Sequence, residues 1–338
     1  MKILCAISGG VDSAVAAALL QKRGHKLIAV HLDLFGKRNS SVGEARAVAA
    51  KLKIPFYVLN FRADFEKRVI KNFLKSYAQN RTPNPCIICN PQIKFGKLLT
   101  KMRELGCDRL ATGHYARIRR GGLFRGVDSE KDQSYFLCRL TEEKLKSVVF
   151  PLGNLKKSDV KKKAQALGFG RLAQKKESSG ICFLEKTEVG DFLKKHLPRK
   201  VFRPGKIRTL NGQIVGKHQG LPLYTIGQRR GVELGGMPEP FFVAGFDLKK
   251  NEVLVAPNRE LFTQKLKAKK LSWISQPPKN GAKILAQIRY RAPAVPGKIH
   301  LSGTQATFEF TEPVRAVTPG QTVAFFQNQK CLGGGEIC

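Results

Sequence analysis

The first half of the chain alternates short apolar runs with stretches whose apolar residues recur every three or four positions. Residues 2–7, 27–32, 56–59 and 109–112 are rich in Ile, Leu, Val and Ala, as in strands covered on both faces. Residues 11–21, 44–52, 64–79 and 93–105 carry helical periodicity between and after them. This alternation predicts an α/β fold with a doubly wound parallel sheet and ligands at the carboxyl ends of its strands. Near Pro198 the helical pattern stops, and short strand-like runs separated by Gly, Pro and Asn take over. Residues 200–262 read as a small β-rich module. From residue 263 five or six evenly spaced strands, among them 284–290, 307–310 and 322–326, predict a compact C-terminal β-barrel. The expected division is therefore 1–199, 200–262 and 263–338.

Composition adds a partner. Among 338 residues, 61 are Lys or Arg against 25 Asp or Glu, a formal net charge of +36. Such an excess attracts a polyanion, nucleic acid ahead of all others. The alternative is a lysine-rich surface of a heat-adapted protein, but thermal adaptation usually adds both signs. The opening apolar run is too short for a signal peptide, and no stretch approaches the ~18 apolar residues of a membrane helix. No membrane association and a cytoplasmic location are expected. The 8 cysteines would then be free, buried, metal-binding or catalytic rather than a disulfide framework.

Three stretches carry candidate chemistry. Ser8-Gly9-Gly10-Val11-Asp12-Ser13 lies between a predicted strand and a predicted helix, where backbone N–H groups and the positive helix end suit a phosphate. A Gly-Gly pair after a strand is equally often only a tight turn. Cys86 and Cys89 form a Cys-x-x-Cys in a proline-rich stretch read as a loop, and suit a shared metal, a redox pair or sulfur transfer. Cys182 lies far downstream in a glycine-containing turn, within 177–183. His114 ends the strand at 109–112, and the lysine run at Lys156, Lys157, Lys161, Lys162 and Lys163 reads as a solvated or RNA-facing surface. Arg289, Tyr290 and Arg291 interleave cations with an aromatic ring, a composition suited to phosphates and a stacked base.

The hexapeptide SGGVDS resembles the pyrophosphatase-type loop of the adenine nucleotide alpha hydrolases. With RTPNPCIICN (81–90), ATGHY (111–115), KDQSYF (131–136), SSGICF (178–183), GLPLYTIGQRRG (220–231) and CLGGGEI (331–337), the chain resembles the tRNA-specific 2-thiouridylases, the MnmA family, over essentially its whole length. That resemblance implies ATP and magnesium as cofactors, tRNA as substrate, a sulfur-donor protein as partner, and replacement of O2 of the wobble uridine by sulfur. It implies that Ala6, Ile7, Ser8, Gly9, Gly10, Val11, Asp12, Ser13, Leu32 and Gly113 bind ATP. Cys182 would carry a persulfide, with Cys89 as partner nucleophile. Asn84, Pro85 and Cys86 would meet the target base, and His114, Lys131, Asp132, Gln133, Arg289, Tyr290 and Gln321 would lie near the tRNA.

Two departures stand out. Many family members carry Asp where this chain has Cys86, so a second reading stays open, in which Cys86, Cys89 and Cys182 hold a four-iron four-sulfur cluster instead of running a persulfide–disulfide relay. The loop after Leu32, at Asp33-Leu34-Phe35-Gly36, is also shorter than is usual in the family. Beside the thiolase reading stand another adenylating tRNA-modifying enzyme, which leaves Cys89 and Cys182 without a role, and a non-catalytic RNA-binding protein, which explains the charge alone.

Overall fold

The computed structural model describes residues 1–36, 40–175, 180–184, 187–232, 234, 237 and 239–338. Its strands begin with β1 (Lys2–Ala6), β2 (Lys26–Asp33), β3 (Phe56–Asn60) and β4 (Arg109–Ala111). An antiparallel hairpin of β5 (Ala116–Arg119) and β6 (Gly122–Arg125) follows, before β7 (Val148–Val149) returns to the first sheet. That sheet is parallel, in the order β3-β2-β1-β4-β7. Alternate residues of β1 face opposite layers. Ile3 and Cys5 pack with Ala14, Val15 and Ala18 of helix Val11–Lys22, while Leu4 packs with Phe95, Leu98 and Met102. Both faces are covered, which is why the strands read as unbroken apolar runs.

Strand order reverses at β1: the chain builds outward through β2 and β3, then restarts on the other side with β4. The crevice at the carboxyl ends of β1 and β4 is the place where an open α/β sheet takes ligands.

The expectation of a loop at Cys86 and Cys89 is corrected. Pro85–Cys89 is a short helix, with Asn84 as N-cap accepting from the Cys86 amide at 3.1 Å and Pro85 in the first turn. Proline breaks a helix interior but suits its start, where the missing N–H would have had no partner. The chain continues through wide π-type turns at Asn90–Lys97 and then helix Leu98–Glu104. The expected helix at 64–79 is likewise composite, with a π segment at Glu66–Ile70.

The middle module is a four-stranded sheet of β8 (Gly205–Thr209), β9 (Ile214–His218), β10 (Phe241–Asp247) and β11 (Glu252–Pro257), ordered β10-β11-β8-β9. The last strands are β12 (Phe262–Trp273), β13 (Lys283–Gln287), β14 (Val295–Ser302), β15 (Gln305–Arg315), β16 (Thr322–Gln327) and β17 (Lys330–Ile337). They close into a six-stranded antiparallel barrel through the β12–β17 pairing. β17 also pairs with β6, Cys331 opposite Leu123, so the hairpin of the first unit extends the barrel's sheet. One hydrophobic cluster crosses this junction, joining Leu4, Leu110 and Tyr135 to Ala324, Phe326 and Cys331.

Among the described residues no helix is long and apolar enough to cross a membrane.

Candidate active site

β1 leads into the loop through Ala6 and Ile7. The Ile7 amide donates to the Val30 carbonyl at 2.8 Å, and the Ile7 carbonyl lies 2.9 Å from His31 Nδ1. Ser13 Oγ donates to the Gly10 carbonyl at 2.9 Å and accepts from the Ser8 amide at 3.1 Å, which curls residues 8–13 into a cradle. Gly9 has φ +84°, and a Cβ there would come within 2.5 Å of the Ser41 carbonyl oxygen. Helix Val11–Lys22 has no side-chain cap at Gly10, so its first N–H groups are left for an anion. At the end of β4, a Cβ on Gly113 would stand 2.9 Å from the Ser13 nitrogen. The two strand ends at the reversal point therefore meet backbone to backbone.

Asp12, at the start of that helix, accepts from Tyr115 Oη on Oδ1 and from Lys157 Nζ on both oxygens, each at 2.7 Å. Magnesium carried by ATP needs one or two hard carboxylates and keeps phosphate and water as its other ligands. Asp12 fits that need. Leu32 packs between the sheet and the cysteine helix, in contact with the cluster of Phe65, Val69, Cys89 and Ile93. The shortened loop behind it is pinned by the Asp33–Arg62 ion pair and by Phe35 edge-on against Phe65 at 5.3 Å.

Phe183, the neighbour of Cys182, packs on the same cluster as Cys89. Cys89 is buried, Cys86 half-buried and Cys182 on an exposed turn; Ser178 and Ser179 of that motif lie outside the described residues. Desolvation pushes the Cys89 thiol up to about 12 and the Cys182 thiol up to about 11, and raises Cys86 as well. The charges are felt between sites: Cys182 and Cys86 raise Cys89, and Cys86 raises Cys182. The three thiols thus come from two distant stretches into one neighbourhood. Lys94, half-buried on the π-type turn, lowers all three thiols against that burial.

Among the described residues no group of three His, Cys, Asp or Glu side chains is placed to hold a metal. This arrangement of Cys86, Cys89 and Cys182 does not favour a four-iron four-sulfur cluster, which needs its thiolates converging on one point.

His114 packs between Phe95 and Phe150, ring centroids 5.7 and 5.8 Å away, with Nδ1 on Thr112 Oγ1 at 2.7 Å. Burial and then Lys94 hold its pKa well below the usual value, so the ring is neutral. Asp132 is saturated inside the protein by Arg125, the Gly126 and Ser134 amides and the Ser134 hydroxyl. Gln133 Oε1 accepts from the Tyr115 amide at 3.0 Å. Lys131 and Arg291 line one surface cavity of about 470 Å³ with Ser129 and Glu130, so cations of the first unit and the barrel share one depression.

The barrel reaches back to the cysteine stretch. Gln321 Nε2 donates to the Thr82 carbonyl at 2.9 Å, and the Thr82 amide to the Pro319 carbonyl at 3.0 Å. Tyr290 lies 4.3 Å, centroid to centroid, from Phe136, and Arg289 donates to Thr318 Oγ1 at 2.9 Å. Arg81 is paired with Glu336 at 2.6 Å.

Sequence comparison agrees with this layout. Residues 1–186 match the family model described as a tRNA methyl transferase HUP domain, 190–257 its PRC-barrel domain and 263–337 an aminomethyltransferase beta-barrel domain. The tRNA-specific 2-thiouridylase MnmA of Chlamydia abortus is 42% identical over 99% of this chain and 96% of its own length. That of Geobacter metallireducens is also 42% identical, over the same shares. The chain belongs to the MnmA family. Among solved structures, the U34-tRNA thiolase NcsA from Methanococcus maripaludis aligns over 58% of this chain and 66% of its own, with TM-score 0.38 and 22% identity, too remote to support anything further.

Two residues of this MnmA-family site escaped the sequence reading. Lys157 stood in a lysine run read as surface, yet it is only 7% exposed. The signal was available: Val160 and Ala164, three and seven positions on, put Lys157 on the apolar face of its helix. Lys94 lay unremarked in a predicted helix, and nothing local distinguishes it from Lys97 or Lys101.

Proposed function

We propose that this protein is an ATP-dependent tRNA-uridine 2-sulfurtransferase. The carrying observation is that Cys89 and the Cys182 turn, remote in sequence, pack on one cluster with Leu32 of β2, the strand paired with β1, whose end leads into the curled loop 8–13. The label methyl transferase in the matched family description does not suit this chemistry, since methyl transfer has no use for a pyrophosphatase-type loop and paired thiols.

A uridine C2 carbonyl is urea-like and its oxygen a poor leaving group. Attack of O2 on the α phosphate of ATP expels pyrophosphate and converts that oxygen into the leaving group AMP. The loop 8–13 and Gly113 would hold the phosphates, and Asp12 would hold the magnesium that ATP carries, which would supply charge neutralisation for the pyrophosphate. The terminal sulfur of a Cys182 persulfide then attacks C2 and AMP departs. The Cys89 thiolate cleaves the remaining S–S bond, leaving 2-thiouridine and a Cys89–Cys182 disulfide that an external thiol must reduce. Sulfur arrives from a cysteine desulfurase or a relay protein, which the exposed position of Cys182 favours.

Asn84, Pro85 and Cys86 are assigned to the target base. Lys131, Arg289, Tyr290 and Gln321 are assigned to the tRNA-facing seam between catalytic unit and barrel, with His114, Asp132 and Gln133 bracing it from inside. We divide the chain into a catalytic unit (1–199), a linker module (200–262) and a tRNA-binding barrel (263–338). The net charge of +36 and eight free cysteines support action on RNA in the reducing cytoplasm.

The test is direct. Unmodified tRNA, Mg-ATP and a persulfide donor are incubated with the protein, and the digested tRNA is examined by mass for 2-thiouridine. Product that survives Cys182→Ala and Cys89→Ala together would sink the cysteine assignment. AMP release without thiolated nucleoside would favour a different adenylating enzyme. Protein purified without oxygen is expected to be colourless; broad visible absorbance lost in Cys86→Ala would restore the cluster reading.

A further inference from the structure

Lys157 begins helix Lys157–Ala166, and its place is held from several sides. Its amide donates to Asp128 Oδ2 at 2.8 Å, which caps the helix. Val160 and Ala164 sit in the same cluster as Ala14, Val15 and Ala18 of the helix that follows the cradle. The preceding turn is locked against β5, where a Cβ on Gly153 would come within 2.0 Å of the Ala116 carbonyl. The result is an ammonium group aimed at the cradle rather than at solvent, 2.7 Å from both oxygens of Asp12 and 5.7 Å above the Tyr115 ring.

That placement has a chemical oddity. A carboxylate beside a triphosphate repels it unless a cation stands between them, and the cation expected there is magnesium. Here a lysine already covers the two oxygens that a divalent ion would take. When the ion takes them, a buried ammonium is left beside a strongly anionic group. An ammonium is a compact point charge suited to phosphate oxygens.

We propose that Lys157 is a pyrophosphate-binding residue of the nucleotide cradle, resting on Asp12 in the free protein and turning to the β and γ phosphates when Mg-ATP arrives. In the resting state the Asp12 carboxylate neutralises it, so the empty cradle holds no unpaired buried charge. With nucleotide bound, the same ammonium faces the leaving group and stabilises the charge that builds as the α–β bond breaks. The inference rests on the ATP-dependent reading above, and it singles out the pyrophosphate half of the ligand. AMP lacks the atoms that Lys157 would touch.

Calorimetric titration of the full-length protein tests it. Lys157→Met is expected to weaken Mg-pyrophosphate binding by about tenfold or more, the scale of one charge-assisted hydrogen bond. AMP affinity should stay within about twofold on the same scale. Unchanged pyrophosphate affinity, or an equal loss for AMP, would overturn the proposal in favour of a structural brace.

Because Lys157→Met takes the cation away from Asp12, a second pair keeps the test decisive if that variant does not fold. Asp12→Asn removes the carboxylate that neutralises the ammonium, and should bind magnesium-free pyrophosphate several-fold more tightly than the wild type. Adding Lys157→Met to Asp12→Asn removes both charges and should abolish that gain. A gain that persists in the double variant means that loss of the carboxylate alone causes it, and Lys157 plays no part. A wild-type protein that binds neither ATP nor pyrophosphate would overturn the functional reading itself, and this inference with it.

Discussion

Desolvation raises the thiol of Cys182 on its turn to about 11 and that of buried Cys89 to about 12, so at neutral pH both are protonated and poorly nucleophilic. A persulfide on Cys182 would place a more acidic terminal sulfur on the exposed turn, and sulfur delivery would itself switch the site on. Alkylation of Cys182 by iodoacetamide should therefore climb about tenfold per pH unit from neutrality to pH ~9, following the thiolate fraction. A plateau below that pH would contradict the raised thiol pKa. Lys94 opposes the burial at all three cysteines, so Lys94→Met should raise each thiol further and slow alkylation at any fixed pH. At this scale the sequence pointed to Cys86, Cys89 and Cys182 as candidates for sulfur transfer through their motifs. It did not reveal Lys94 or Lys157, because one lysine among many looks like another until the fold decides what it faces.

The short helix Pro85–Cys89 shows how turn chemistry can be misread. Two prolines and two asparagines suggested an irregular loop, but Asn84 caps the helix and Pro85 occupies the one region that tolerates it. Asn84→Ala should cost about 1 kcal/mol, the usual worth of an N-cap, read as a lower midpoint of chemical denaturation. It should also speed alkylation of Cys86 as the first turn frays; an unchanged midpoint and rate would show that the barrel contacts hold the helix without its cap. Gly9→Ala should be harsher, since it meets both the left-handed φ of +84° and the Ser41 carbonyl. Loss of ATP binding with the fold retained, seen by calorimetry and circular dichroism, is the expected result. The strands and helices of the parallel sheet were legible because burial on both faces and 3.6-residue periodicity are local patterns. The π-type turns at Glu66–Ile70 and Asn90–Lys97 leave no such pattern, since one extra residue per turn is set by packing.

At the scale of the molecule, the barrel shares a core with the first unit rather than hanging from it as an appendage. β17 pairs with β6, and Ala324, Phe326 and Cys331 share a cluster with Leu4 and Leu110 of the parallel sheet. A chain ending at residue 262 should therefore bare that cluster and aggregate, checked by its soluble fraction and dye binding; a soluble, monomeric fragment would show that the junction is dispensable. In the intact protein the charge of +36 predicts tRNA affinity that falls steeply with salt, since each phosphate contact releases about one counterion. Taken alone, the sequence determined the cradle, the two cysteine stretches, the barrel and the attraction to a polyanion, because each rests on residue types and periodicities within a few neighbours. Only the tertiary structure decided that the Cys182 turn joins Cys89, that Gln321 reaches the cysteine stretch, that Tyr290 meets Phe136, and that Lys157 reaches Asp12. Those contacts span from tens of residues to more than two hundred along the chain, and no local pattern encodes a partner that arrives only when the layers pack.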